Sequence, residues 1–167
     1  MKSTFTVQDD QKTLVMTRDF TAPKDKVWAA YTEADKLAKW WGPTGWTTEV
    51  KELNFSVGGT WFYIMTCKDP SDAEWYNKNS AGKGIYDAID AKNSFGYTDF
   101  FTDDEGNVLP GMPSTKITVA FAEKNGVTTL TSTAAYATPE SLKQVLEMGM
   151  EEGFNQTWNN LETFLNS

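Results

Sequence analysis

An antiparallel sheet covered on one face by helices, an α+β fold, is what this sequence predicts. Three observations carry the prediction. Strand-like and helix-like segments follow one another as strand, two short helices, a run of strands and one long terminal helix. Apolar or small residues between Leu142 and Leu165 recur at intervals of three and four, a single helical stripe. Trp40-Trp41-Gly42-Pro43 sets two indoles side by side where a short helix must stop, as a roof over a core or a cavity.

Each element can be justified in turn. Residues 12–20 read as the first strand, apolar at Leu14 and Met16. Pro23 stands early in a helix, where its missing donor costs nothing, and Val27, Trp28 and Tyr31 give that helix an apolar side. Thr32 is placed to cap a second short helix, with Asp35 three residues on, and that helix carries Leu37, Trp40 and Trp41. Strands over 47–55 and 60–67 flank the tight turn at Gly58-Gly59. A polar loop runs from Lys68 to Lys83, and strands over 84–89 and 95–101 follow. Residues 115–122 and 127–136 form a hairpin over Asn125-Gly126, a strong two-residue turn signal. Thr138 as cap and Pro139 at the first helical position open the terminal helix, predicted to run unbroken to about Leu165. Its stripe includes Gly149, Met150, Gly153, Phe154 and Trp158, while Lys143, Glu147, Glu151, Asn155 and Glu162 face away.

Composition narrows the function. The 167 residues are read as one domain, 1–167, able to bury about 70% of the unfolded surface without a metal or disulfide. The net charge of −8 is spread along the chain and repels phosphate backbones and anionic lipid heads, so neither nucleic acid nor membrane is an expected partner. No run approaches the roughly 20 apolar residues of a membrane span, nothing resembles a signal peptide, and the single cysteine fits a reducing cytosol; a cytoplasmic protein is expected. The chain has no histidine, which excludes a serine triad, a papain-like dyad and a histidine-ligated zinc site. Neither a metal nor a cofactor is expected.

Candidate chemistry is sparse. Trp61, Tyr63 and Met65 share one strand face by alternation, suited to core or to cavity lining. Tyr63, Tyr86 and Tyr97 carry hydroxyls that need partners in a dry interior, so they are candidates to point into a partly wet space. Gly149 and Gly153 on the buried stripe signal either close approach to the sheet or room for a ligand. Asp99, in an aromatic strand, is the one carboxylate of interest; set between Thr98 and Phe100, it is read as turned to solvent, and becomes an acid–base candidate only if buried. Glu49 and Glu52 are weaker candidates, Asp103 to Asn107 reads as a solvated turn rather than a calcium loop, and Cys67 as an inert thiol.

These residues together resemble the activator-of-heat-shock-protein-90-ATPase homologue family, of the START-like, helix-grip (SRPBCC) superfamily, in its stand-alone bacterial form. The resemblance rests on Pro23, Val27-Trp28, Thr32, Leu37 and Trp40-Trp41-Gly42-Pro43, then Gly58-Gly59, Trp61 and Met65. It continues through Gly84, Tyr86, Ile89, Tyr97-Thr98-Asp99, Phe101, Asp103 and Gly106-Asn107, and closes with Gly149 and the apolar run to Leu165. It implies a curved antiparallel sheet gripping the terminal helix, two short helices closing one end, and an internal cavity. Relatives bind lipids, hormones or polyketides, a few are cyclases, dehydratases or hydrolases, and the namesake stimulates a chaperone's ATPase. The chain departs from the family pattern at Val57, at Ala88 where many members carry glutamate, at 90–94 without the usual prolines and arginine, and at Met150 in place of tryptophan.

The leading expectation is therefore a domain binding a small hydrophobic or aromatic molecule. The sheet offers Trp61, Tyr63, Met65, Tyr86 and Tyr97, and the helix offers Met150, Phe154 and Trp158, with Trp40 and Trp41 closing the mouth. No catalytic residue is assigned beyond the candidate Asp99, which with tyrosine hydroxyls would serve a cyclase or dehydratase. A chaperone-binding role is disfavoured by the acidic surface and the missing partner-binding second domain.

Overall fold

The computed structural model describes residues 2–167 and confirms the α+β helix-grip architecture. Eight strands form one antiparallel sheet: β1 (Thr4–Val7), β2 (Thr13–Phe20), β3 (Trp46–Leu53), β4 (Thr60–Cys67), β5 (Asn79–Asp90), β6 (Ser94–Thr102), β7 (Thr115–Lys124) and β8 (Val127–Ala135). Their order is β1-β2-β8-β7-β6-β5-β4-β3. The helices α1 (Lys24–Thr32) and α2 (Ala34–Trp40) carry the chain from the middle of one half to the opposite edge. The helices α3 (Pro139–Glu147) and α4 (Met150–Leu165) follow the last strand. None of the helices among the described residues is long and apolar enough to cross a membrane.

Alternation decides which side chains enter the core. In β8, Thr128, Leu130, Ser132 and Ala134 are buried while the residues between them, mostly threonines, are half-exposed. In β2 the buried set is Leu14, Met16, Arg18 and Phe20. Trp28 and Tyr31 of α1 meet Phe55, Phe95 and Phe121 mostly edge to face, with centroids between 5.1 and 5.9 Å apart. Such pairs add to the roughly 1.5–3 kcal/mol each ring gains from burial.

Several expectations about the elements need correction. The strand β1 was not foreseen, and Phe5 and Val7 are too short a pattern to announce it. Thr32 is the last residue of α1 rather than a cap; its hydroxyl donates back to the Trp28 carbonyl at 2.9 Å, and Glu33 precedes α2 without a side-chain cap. Trp41 lies just beyond α2, and β5 begins at Asn79, inside the segment read as a loop. The terminal helix is two helices. Gly149 adopts φ +84, its N–H bonds the Leu146 carbonyl at 3.1 Å, and α4 starts anew after it. A Cβ at Gly149 or Gly153 would meet nothing within 4 Å, so neither glycine marks close approach to the sheet. Thr138 caps α3 as expected, accepting from the Ser141 N–H at 3.1 Å. The turn at Asn125-Gly126 has φ of 54 and 77, the left-handed pair a two-residue hairpin requires.

Glu162, expected on the outer face, turns inward. Arg18, only 2% exposed, donates to Asn159 Oδ1 at 2.7 Å and to Glu162 Oε2 at 2.9 Å, so β2 and α4 are joined by a buried cation. Two glycines of β5 make room for rings: a Cβ at Gly82 would stand 2.7 Å from Tyr63 Cζ, and one at Gly84 2.9 Å from Tyr97 Cδ2. Gly82→Ala is therefore expected to displace the Tyr63 ring and destabilise the protein by about 1–3 kcal/mol, as overpacking does. A fall in the urea midpoint would register it, and an unchanged midpoint would show that the ring moves freely.

Candidate functional site

The strand β6 sets Phe95, Tyr97, Asp99 and Phe101 on one face, and that face is the interior. Tyr97, Asp99 and Phe101 form one wall of a cavity of about 130 Å3. From β7 and β8 come Thr115, Ile117, Val119, Ser132 and Ala134, with Met16 from β2 and Tyr136 just past β8. The helical side supplies Tyr31, Trp41, Val145, Met150 and Phe154. The reading of Asp99 as turned to solvent is thus overturned. Its strand alternates with Tyr97 and Phe101, whose rings need the interior, so the carboxylate is carried in with them.

The Trp-Trp-Gly-Pro corner is held by the terminal helix. Asn160 Nδ2 donates to the Gly42 carbonyl at 2.8 Å, and the Thr44 N–H donates to Gln156 Oε1 at 3.1 Å. Thr48 Oγ1 donates to the Trp41 carbonyl, and Gly42 takes φ +112. These contacts point Trp41 over the cavity and Trp40 into the core, where its Nε1 donates to the Ala30 carbonyl at 3.0 Å.

The ten residues expected at the cavity therefore divide. Trp41, Tyr97, Met150 and Phe154 line it. Tyr63 and Met65 instead face a shallower groove of about 240 Å3, shared with Gly42, Pro43, Gly153 and Thr157. Trp41, Met150 and Phe154 border both spaces, so these three side chains are the partition between cavity and groove. Trp40, Trp61, Tyr86 and Trp158 are core, none more than 2% exposed. Trp158 packs edge-on against Phe154 at 4.8 Å and Phe20 at 5.7 Å, and its Nε1 donates to Tyr31 Oη at 2.9 Å. Trp61 is packed against Trp41 at 4.7 Å with its Nε1 unpartnered among the described residues. A larger depression of about 610 Å3 beside Gly149 is an open surface dish with no aromatic enclosure beyond Phe5.

Lining residues not assigned to the cavity from sequence are Met16, Tyr31, Phe101, Ile117, Val119, Tyr136 and Val145, and the small Thr115, Ser132 and Ala134. For Phe101 the signal was present in its period-two spacing from Tyr97 and Asp99. The three small or hydroxylated residues carry no signal; they line the cavity because they are small.

Electrostatically the site is one acid among aromatic rings. Burial alone raises the Asp99 carboxyl to about 7, and among the described residues no side chain or backbone group hydrogen-bonds it. Asp99 is nonetheless not wholly shut off from solvent. Tyr97 and Tyr63 are pushed well above the ordinary phenol range, first by burial and then by the Asp99 charge; the Trp41 side chain partly offsets the rise at Tyr63. Burial also raises Tyr136, against a hydrogen bond with Thr115, and the Asp99 charge adds to the rise. No lysine or arginine lines the cavity. Glu49 and Glu52 are exposed on β3, and Cys67 is buried at the end of β4. Asp103 accepts from the backbone of Glu105 and Asn107, each at 2.9 Å, which closes its turn and lowers its carboxyl.

Known structures place this geometry. A crystal structure of a protein from Mycobacterium smegmatis superposes with a TM-score of 0.86 at 31% identity, covering 97% of this chain and 95% of that one. A solution structure from Staphylococcus epidermidis does so with a TM-score of 0.80 at 33% identity, over 96% and 93% of the two chains. One from Arthrobacter aurescens, at 24% identity and a TM-score of 0.87 over 98% and 91%, shares the fold. No protein of curated function matches the chain in sequence. Residues 21–166, nearly the whole chain, match the family model described as Activator of Hsp90 ATPase homolog 1-like protein, and the chain belongs to that family.

Proposed function

We propose that the protein binds a small hydrophobic or aromatic molecule in the space between the sheet and the helices α3 and α4. The supporting observation is the cavity of about 130 Å3 whose walls are mostly apolar and aromatic. Ligand sites have that lining, with a few polar groups to orient the guest. An apolar cavity of about 150 Å3 admits benzene, so a guest of one ring fits, and rotation of Met150 or Phe154 would join the cavity to the neighbouring groove for a longer one.

The test uses the protein's own fluorescence, since Trp41 stands in the wall. Titration with ethylbenzene is expected to change the tryptophan emission saturably. Ala134→Leu fills the space from β8 and is expected to weaken that response at least about tenfold, as lost apolar burial of one ring implies. Equal binding by wild type and variant, with the variant folded, would refute the reading.

Asp99 favours a second reading, an acid–base catalyst of cyclase or dehydratase type. A carboxyl near about 7 beside Tyr97 and Tyr136 is able to both give and take a proton at neutral pH. A carbon-13 NMR titration of the Asp99 carboxyl with a midpoint near its ordinary 3.8 would end it.

A further inference from the structure

The cavity holds one group that its enclosure does not explain. Asp99 is an acceptor that receives no hydrogen bond among the described residues, and the donors lining its cavity, among them the hydroxyls of Tyr97, Tyr136, Thr115 and Ser132 and the Trp41 indole N–H, are all neutral. Its own strand offers Tyr97 and Phe101, β7 offers Thr115 and Ile117, and the helical side offers Trp41 and Phe154. The titratable groups that sense its charge are the phenols of Tyr97, Tyr63 and Tyr136, and none is a cation. The Lys116 ammonium, one residue from Thr115 in β7, is bonded to Asp87 on the outer face of the sheet. A buried carboxylate is normally paired, because desolvating it alone is unfavourable.

We propose that the ligand of this cavity is a small organic cation, a protonated or quaternary amine on a one-ring or short aliphatic body, whose positive charge is met by Asp99 and by the faces of the surrounding rings. This rests on the reading of the cavity as a ligand site and names the chemistry of the guest. Two kinds of attraction converge. The carboxylate pairs with the positive charge, and a protonated amine adds N–H groups at charge-assisted hydrogen-bond distance. Tyr31, Trp41, Tyr97 and Phe154 present the π-systems that attract a desolvated cation. The same lining disfavours anions, which would meet the Asp99 charge with only neutral donors and no cation to balance it. Neutral apolar guests fit the walls but leave the carboxylate unpaired.

Proton linkage gives the proposal a second handle. A cation binds the ionised carboxylate, so protonation of Asp99 competes with it. Affinity for an ammonium is then expected to rise about tenfold between about pH 6 and about pH 8, through the carboxyl's midpoint. A neutral guest has no reason to follow that slope.

Three probes of one size separate the possibilities: benzylammonium, ethylbenzene and benzoate, each followed by calorimetry and tryptophan fluorescence at about pH 6 and about pH 8. Benzylammonium is expected to bind at least about tenfold more tightly than ethylbenzene at the higher pH, the gain of one charged hydrogen bond, and benzoate not to bind. In Asp99→Asn the ratio of the two affinities is expected to collapse to about one or below and the pH slope to vanish. If ethylbenzene binds and benzylammonium binds no better, the cavity stands as an apolar site and the cation proposal falls. If neither binds, the ligand-site reading falls and the proposal with it. A preference for benzylammonium that survives Asp99→Asn also overturns the assignment, because another group would then be holding the charge.

Discussion

Asp99→Asn is expected to make the unliganded protein more stable at about pH 8, by about 2–4 kcal/mol, and to change little at about pH 4. The folded carboxyl holds its proton up to about 7, whereas the unfolded one gives it up at its ordinary 3.8. Below the lower value both states are protonated and the burial of Asp99 carries no electrostatic cost. Between the two values the unfolded chain has lost its proton and the folded protein still binds one. Stability therefore falls as pH rises through this window, and above about 7 the full cost remains. At about 1.4 kcal/mol per pH unit, with an allowance for the residual exposure of Asp99, the stated range follows. Asparagine keeps the shape and carries no charge. Urea unfolding across pH would show the wild-type and variant curves converging in acid and separating in base. Parallel curves would mean that Asp99 is not desolvated. A stabilising substitution inside a cavity is what a residue kept for binding rather than for folding should give.

Glu162→Ala is expected to destabilise by about 3 kcal/mol, more than a surface ion pair would. Arg18 is buried on β2, and its Nε already lacks a partner among the described residues. Two of its nitrogens are met by Asn159 and Glu162 on α4. Removing the glutamate leaves a guanidinium in the core with one neutral acceptor and the Phe20 ring 5.3 Å away. The loss is then chiefly that of an uncompensated buried charge. Arg18→Met combined with Glu162→Ala is expected to recover much of the stability, since an apolar pair of similar volume serves the core about as well. The two singles and the double form a cycle whose coupling energy reads the pair directly. A double variant no better than Glu162→Ala alone would show that the arginine is held by packing and not by its partner.

Asp99 and Glu162 also mark where sequence reasoning succeeded and where it stopped. The sheet, the paired short helices and the capped terminal segment follow from periodicity, Pro23, Pro139 and Asn125-Gly126, because those signals are local. A charged side chain on a half-buried element is a different problem. Alternation against Thr98 and Phe100 argued for the outside of the sheet, but the same alternation puts Asp99 on the face of Tyr97 and Phe101, and those aromatic rings decided which face is buried. Glu162 lies off the apolar stripe, and only the distant Arg18, itself an inward cation on β2, draws it in. Gly149 was visible as a glycine but not as a break, since the stripe continues in phase on both sides of it. Trp61, Tyr86 and Trp158 were legible as buried aromatics. Whether a buried ring lines a void or fills one depends on the volume of what faces it, and here the void lies opposite Ala134, Ser132 and Thr115.

The strand order has a consequence for how this molecule is born. Phe20 of β2 pairs with Thr128 of β8, and Thr13 with Ala135, so neighbours in the finished sheet leave the ribosome more than a hundred residues apart. The hairpin of β1 and β2 must wait for its neighbour β8 while β3 to β7 are synthesised, and such non-local pairing is slow to nucleate. Met16 and Ala134, which flank the cavity from those two strands, therefore meet only once β8 has been synthesised. A truncated product ending before β8 would own most of the sheet and no chamber at all.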